Sequence, residues 1–585
     1  MAEYQNPQHE PGADRRLMLI FLVSFVFMLL AQPLLKRYFP APPPPQKVAQ
    51  TEQVQPPPAP STKASSATES GSSPAVSKQA SAENDMVIET DLYRVTFTNR
   101  GAQVKSWILK KFDNDAENGP LDLVNATAAA QYGYPLSLYT YDEGLRERLK
   151  SALYVATRDG NQIAFEYADQ DLSVRKVFKF DDTYVVKIDA SVTYKGSLKE
   201  ALPAWPSGFG DQTTPPFYAS SVLAYQFNKN IERLPTRCGF SLFSKCTQVI
   251  GGATVPGPFH WAGPTDQYFA AVFIPDDPAA ASMLTLNHSM AIPKDAQKPQ
   301  DTINVDVIGA AVGNVHGAIS ERLFAGPKEL QVLQKIPVPG VAGGDNDLNG
   351  LVDFGWWGII AKPLFVWLRW TYHHMVANWG WAIVLQTIIL SLGLMPLRIQ
   401  QMKSMLKMQR VAPQIKSIQD KYKKYSLRDP RKAAMNEEIA ALYKKEGVNP
   451  AGGCLPMLIQ FPFLIAYYRM LGTVLDLRHA HFLWIRDLSA AEPFPYILPI
   501  LMVVSMLINQ RMTPQAGMDP AQQRMMNVMM PLFMGFLFFR LQAGLNLYYA
   551  VSNLIMIGQQ AVMNRTHLGR EMREMMAKRA RKKDK

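Results

Sequence analysis

The chain has 585 residues, with 61 Lys and Arg against 49 Asp and Glu and a formal net charge of +12 at pH 7. That length holds more than one domain, each large enough for its own core. The basic excess gathers at Arg398–Lys445 and Arg565–Lys585, beside apolar stretches, which argues against a soluble nucleic-acid binder and for cytoplasmic flanks of membrane spans facing anionic lipid. Ribosomal RNA stays open as a partner for the tail.

In chain order, residues 1–16 read as a cytoplasmic N-terminus and 17–35 as a first transmembrane span. Leu17–Leu35 is long for a signal-peptide core and lacks an A-x-A site, so it reads as an uncleaved signal anchor. Residues 36–85, with the runs Pro42–Pro45 and Pro56–Pro58, bury too little to fold and read as an extended tether. From 86 to 340 the pattern is β. Val186, Ile188, Ala190, Val192 and Tyr194 alternate with polar residues, and Asp181–Asp182 turn them back on Val174–Phe180 as a hairpin. Val87–Thr98, Tyr268–Ile274 and Thr302–Ile308 read as further strands, with no competing helical spacing before Lys328–Lys335. The expected fold is a large antiparallel sandwich. Cys238 and Cys246 fall in this domain and are a possible disulfide; two free thiols are the alternative.

Residues 355–374 interleave Trp356, Trp357, Trp367 and Trp370 with Lys362, Arg369, His373 and His374, the pattern of an amphipathic interfacial helix. Five further spans follow, at 378–397, 452–475, 494–511, 525–540 and 543–562. Each is apolar enough to cross a bilayer as a helix, where unpaired backbone groups are costly. Between the first two of these, 398–446 reads as a cytoplasmic helical hairpin broken at Ser426–Pro430, too poor in apolar residues to pack as a domain. Residues 563–585 form a basic tail. With hairpin and tail inside, both termini are cytoplasmic and the β domain is outside, so the fold class is a six-span α-helical membrane protein with an all-β periplasmic domain.

The chemistry is sparse. There is no Walker loop, no G-x-S-x-G, no H-E-x-x-H and no metal-spaced Cys/His cluster, so neither an enzyme, a cofactor nor a metal is expected. The spans hold no Asp or Glu that could couple an ion. They hold uncharged polar groups instead: Gln386, Thr387 and Ser391, then Gln460, then Asn509 and Gln510, then Asn546, Tyr548, Tyr549, Ser552, Asn553, Gln559 and Gln560. Ordinary interhelical hydrogen bonding explains any one of them; together they point to a hydrated inner face. A transporter and a membrane-anchored sugar- or envelope-binding scaffold are the alternatives, the first weakened by the lack of inverted repeats.

The run Asn449-Pro-Ala-Gly-Gly-Cys-Leu-Pro-Met-Leu-Ile-Gln-Phe-Pro462 resembles the third-span signature of the YidC-type membrane protein insertases. Asn378-Trp-Gly380, Pro396-Leu397, Ala441-Leu-Tyr-Lys444, Leu483–Leu488, Tyr496–Pro499 and Leu547–Tyr549 with Ser552-Asn553 add to it. Glu89-Thr90, Asn99–Gly101 and Gly326–Lys328 fit the Gram-negative form with a large periplasmic domain. The resemblance implies a five-helix insertase core in the inner membrane and a β-supersandwich outside. It implies a hydrophilic groove that contacts nascent membrane proteins through Gln386, Thr387, Ser391, Gln460, Tyr548, Tyr549 and Asn553, with Phe461 and Leu464 on a greasy slide. It also implies action alone or with the Sec translocon, while hairpin and tail meet the ribosome or a targeting receptor. One departure stands out. The family's groove Arg falls at Ser391 here, and the next cation, Arg398, is expected at the groove mouth.

Overall fold

The computed structural model describes residues 77–566 and 570, apart from segments 229, 239–245, 295–299, 315–316, 339, 341–346, 356, 423–424, 426–430, 448–454 and 513–527. The signal anchor at 17–35, most of the tether, the hairpin break, the start of the fifth span and most of the basic tail lie outside the described residues.

Structure begins before the expected boundary at residue 86. The Lys78 amide donates to Ala168 O at 2.9 Å and that of Ala80 to Leu153 O at 3.0 Å, so this end of the tether is already pinned to the β domain. Among the described residues the domain holds three antiparallel sheets. One runs Asp85–Glu89, Tyr93–Thr98, Gln103–Asp113, Pro120–Asp122. The largest, of ten strands, runs Asn230–Pro235, Val222–Phe227, Trp261–Thr265, Phe269–Pro275, Ile319–Pro327, Val185–Tyr194, Leu172–Phe180, Gln162–Ala168, Val155–Asp159, with Ser197–Lys199 on the side of Val185–Tyr194. The third runs Thr254–Pro256, Ala281–Pro293, Thr302–Asn314, Leu202–Trp205, Ser137–Tyr139.

The alternation at Val186–Tyr194 produces the expected hairpin, with Phe180 opposite Val186. Its turn is closed by Asp181, whose Oδ1 accepts from the Thr183 amide at 2.8 Å and from the Thr183 hydroxyl. Val87–Thr98 differs from expectation. It is two strands, because Thr90 accepts from the amides of Leu92 and Tyr93 and folds the run back on itself. Helices also occur well before residue 328. Ala126–Tyr132 and Glu143–Ser151 are capped by the side chains of Asn125 and Asp142, and Pro215–Ala219 adds a short turn. They are too brief to register against the β alternation around them. Aromatic contacts join the sheets: Phe97 lies 5.0 Å from Phe178, and Trp107 lies 5.9 Å from Trp205, centroid to centroid.

The C-terminal part is helical. We number its helices α1 (Gly358–His374), α2 (Trp379–Gly393), α3 (Met395–Lys421), α4 (Arg431–Lys445), α5 (Leu455–Thr473), α6 (Ile497–Met512), α7 (Met530–Phe538) and α8 (Ala543–Arg565). Helix α1 covers most of the expected 355–374 segment; Ala361, Leu364, Phe365 and Leu368 are buried while the apolar Ile359, Val366 and Trp370 are exposed. Among the described residues no single helix is by itself long and apolar enough to cross a membrane; α1 and α2 pass together, bent by 119°. The second expected span, 378–397, is cut at Leu394, where α2 gives way to α3 with Pro396 in its first turn. The hairpin is less loose than its composition implied. Val411 and Ile415 of α3 pack on Ile439, Leu442 and Tyr443 of α4, and Lys421 pairs with Glu438 at 3.2 Å.

Candidate functional site: a polar seam between helices

Helices α2, α5, α6 and α8 meet along an inner line of neutral polar groups. Gln386 on α2 is fully buried. Its amide nitrogen donates to Leu364 O of α1 at 3.0 Å, and its oxygen accepts from the Tyr467 phenol of α5 at 2.5 Å. The Tyr467 ring stacks on Tyr548 of α8, centroids 4.1 Å apart and nearly parallel. Farther along α8, Asn553 donates to Ser505 Oγ of α6 at 3.2 Å. Asn546 donates to Phe538 O at 3.0 Å, while its own buried oxygen has no partner among the described residues. Gln559 then donates to Ser391 O of α2 at 3.2 Å and accepts from Arg398 Nη1 at 3.1 Å. The line therefore ends on a half-buried guanidinium at the start of α3.

Sequence spacing explains the alignment. Asn546, Asn553 and Gln560 recur every seven residues, which keeps them on one face of α8. Gly380 lets the outer loop close on α2, since a Cβ there would stand 2.0 Å from the Phe482 ring.

The expected groove residues divide. Gln386, Tyr548 and Asn553 join the seam. Thr387 is buried but donates within its own helix, to Ile383 O at 2.6 Å. Ser391 enters through its backbone carbonyl. Tyr549 is half-buried and packs edge-on to Phe538 at 4.9 Å. The Gln460 side chain lies outside what is described. Phe461 is exposed and Leu464 half-buried on α5. Tyr467 and Ser505 were missed, because a Tyr and a Ser within an apolar run look like ordinary packing residues until a partner amide is placed opposite.

At the other end of the bundle the loop after α5 clasps the β domain. Arg478, almost fully buried, donates to Asp115 Oδ1 at 2.8 Å and Asp113 O at 3.0 Å, and lies over the rings of Tyr268 and Phe269. Gln267 donates to Gly472 O at 2.8 Å and the Tyr268 phenol to Ser489 Oγ at 3.0 Å. Near this clasp Asp211 and Asp266 are both buried, and burial pushes both carboxyls above their usual range against the pull of Arg478 on the first and Lys328 on the second. In the same domain Cys238 and Cys246 are joined as a disulfide.

A β-rich domain clasped onto a helical region with a polar inner line defines a two-part architecture. Residues 85–367 match the family model described as the YidC periplasmic domain, and residues 370–570 match the 60Kd inner membrane protein. The membrane protein insertase YidC of Geobacter sulfurreducens is 32% identical over 488 residues, covering 82% of this chain and 86% of that protein. The one from Cupriavidus taiwanensis is 39% identical over 332 residues, 56% of this chain and 55% of that protein. A solved active YidC insertase with its first transmembrane domain resolved aligns at 20% identity and a TM-score of 0.34, covering 84% of this chain and 95% of that one. The chain belongs to the YidC family of membrane protein insertases.

Proposed function

We propose that this protein inserts nascent membrane proteins into the inner membrane by drawing a hydrophilic segment along the seam between α2, α5, α6 and α8. The observation that carries this reading is the set of three polar clusters along the seam, Gln386–Tyr467–Tyr548, Asn553–Ser505 and Gln559–Ser391–Arg398, built of amides, phenols and hydroxyls rather than carboxylates. Neutral groups that already exchange hydrogen bonds between helices can offer them to a passing polar chain, lowering its desolvation cost in hydrocarbon. The partnerless oxygen of Asn546 is one acceptor available for such a donor.

Ser391 makes the seam neutral along its length, with its one cation, among the described groups of this line, at the end where α3 begins. Substrate then enters from the hairpin side, where the basic surfaces of α3, α4 and the tail meet ribosome, targeting receptor and anionic lipid, with or without the Sec translocon alongside. Both termini face the cytoplasm and the β domain the periplasm. Crosslinking a stalled nascent chain to probes at positions 387, 391, 460 and 549 tests the route; absence of adducts at all four overturns it. Ser391→Arg should retain insertion of a single-span substrate with an acidic tail, and Arg398→Ala should not abolish it. Deleting most of residues 86–325 should spare insertion, whereas a periplasmic scaffold would lose its role.

A further inference from the structure

The loop between α5 and α6 carries several of its bulkiest apolar side chains on the outside. Phe482 and Ile485 exchange backbone hydrogen bonds at 2.9 and 2.8 Å, closing a two-residue turn with Leu483 and Trp484 at its tip. Leu483 stands in the left-handed region at a φ of 53°, a position that glycine ordinarily takes because a Cβ is strained there. It is nevertheless 69% exposed, with Trp484 exposed beside it. Farther on, Phe494 is 82% exposed, and the exposed Tyr496 again has a positive φ. Bulky apolar residues held in strained turns and pointed away from the core gain nothing in water.

The two tips are tied together. Glu492 is buried; its Oε1 accepts from the Trp484 indole at 2.7 Å and the Ile497 amide at 3.0 Å, and its Oε2 from the Leu498 amide at 2.8 Å. One carboxylate thereby caps the start of α6 and draws Trp484 to it. Asp487 is taken up by the Ser489 amide at 2.7 Å, and Arg486 is the exposed charge of residues 482–497. From Phe494 the apolar surface continues down α6, where Ile497, Ile500, Val504 and Ile508, three or four residues apart on one face, are all exposed. Arg540 is exposed next to Phe539, whose ring lies 5.2 Å from that of Tyr496. An apolar helix stripe that ends in aromatic and aliphatic tips with arginines beside them fits the boundary between lipid tails and phosphates. The same loop holds the β domain through Arg478 and Ser489.

We propose that the tips at Leu483–Trp484 and Phe494 are seated in the lipid headgroup boundary on the β-domain side of the bundle, their apolar side chains below the phosphates and Arg486 and Arg540 level with them, so that the loop fixes the depth at which it holds the β domain. This rests on the reading of the bundle as membrane-embedded, and the test separates the two. The full chain, in a Cys454→Ala background, receives a single cysteine as Leu483→Cys, Phe494→Cys, Val504→Cys or Phe227→Cys. Each variant is labelled with a nitrobenzoxadiazole dye and placed in vesicles of phosphatidylethanolamine and phosphatidylglycerol. Labels at 483 and 494 should be quenched at least twofold more by lipid spin-labelled near the headgroup than by lipid spin-labelled near the bilayer centre. The label at 504 should show the reverse order, and that at 227, on the β domain, should answer only to aqueous iodide. Leu483→Gly with Phe494→Ser should leave the melting temperature in detergent unchanged and halve the headgroup-level quenching of a label at Ala491→Cys; full quenching there overturns the proposal. If 483 and 494 answer to iodide as 227 does while 504 is quenched from the lipid, the proposal falls and the membrane reading stands; if 504 is wet as well, that reading falls too. Quenching at 483 and 494 that appears only at high protein-to-lipid ratio assigns the face to a second copy and also overturns the proposal.

Discussion

The β domain buries charge, and the helical bundle buries amides. In the first, Lys176 is fully enclosed and donates to Gly101 O at 3.2 Å, Leu136 O at 2.6 Å and Ala102 O; desolvation draws its ammonium down to about 7. Lys328 likewise reaches Asp266 O at 2.7 Å and falls to about 8. These partners are backbone carbonyls in the turns that begin or end strands, and through Gly101, Ala102 and Leu136 the Lys176 ammonium braces one sheet against the ends of two others. In the bundle backbone carbonyls also serve, for Gln386, Asn546 and Gln559, but three links join side chains of different helices that can rotate away: Tyr467 to Gln386, Asn553 to Ser505 and Arg398 to Gln559. Fixed acceptors make a frame; movable ones make a surface that can be handed to a substrate.

Several substitutions would break or sharpen this contrast. Lys176→Met leaves three buried carbonyls without a donor and should destabilise the β domain by about 3–5 kcal/mol, measured as a lower denaturant midpoint. Arg478→Ala removes two charge-assisted hydrogen bonds at the clasp and should cost about 2–3 kcal/mol of docking. A cysteine pair at positions 267 and 472 should then crosslink less readily. The carboxyl pair gives a pH signature. Asp211 and Asp266 titrate higher when folded than unfolded, so their neutral form adds stability that is fully present below the unfolded value and lost as pH rises through the folded one. Stability, read as a melting temperature, should climb as pH falls toward the ordinary carboxylate range, with a free-energy slope of at most about 1.4 kcal/mol per pH unit for one proton, and Asp211→Asn should flatten the climb. The smallest change belongs to the seam: Tyr467→Phe loses its bond to Gln386 at about 0.6 kcal/mol, the usual worth of such a bond between membrane helices. A loss comparable to that of Lys176→Met would show that the seam is a frame after all.

Much of this was legible beforehand. Alternation over Val186–Tyr194 named its hairpin, the Trp-rich pattern of 355–374 named α1, and polar residues at Gln386, Tyr548 and Asn553 named part of the seam. The short capped helices escaped because two turns leave too little periodicity to outweigh the strands around them. Tyr467, Ser505 and the Gln559 link escaped for another reason: hydrogen-bond partners on separate helices have no fixed spacing in sequence. Glu321 is enclosed by its place between Ile188 and Pro275 in the sheet, a neighbourhood that no local sequence pattern encodes.

The clasp at Arg478 has a mechanical consequence. The Ala543 amide donates to Ala490 O at 2.7 Å and that of Gly544 to Leu488 O at 2.8 Å, while Asn378 holds His481 O at 3.0 Å. The starts of α2 and α8 and the end of α5 are therefore stapled to one loop, and that loop to the β domain. A bundle stapled at one end resembles a clothes-peg: any parting of its helices would pivot about the fixed end and be widest where Gln559 bridges Ser391 and Arg398.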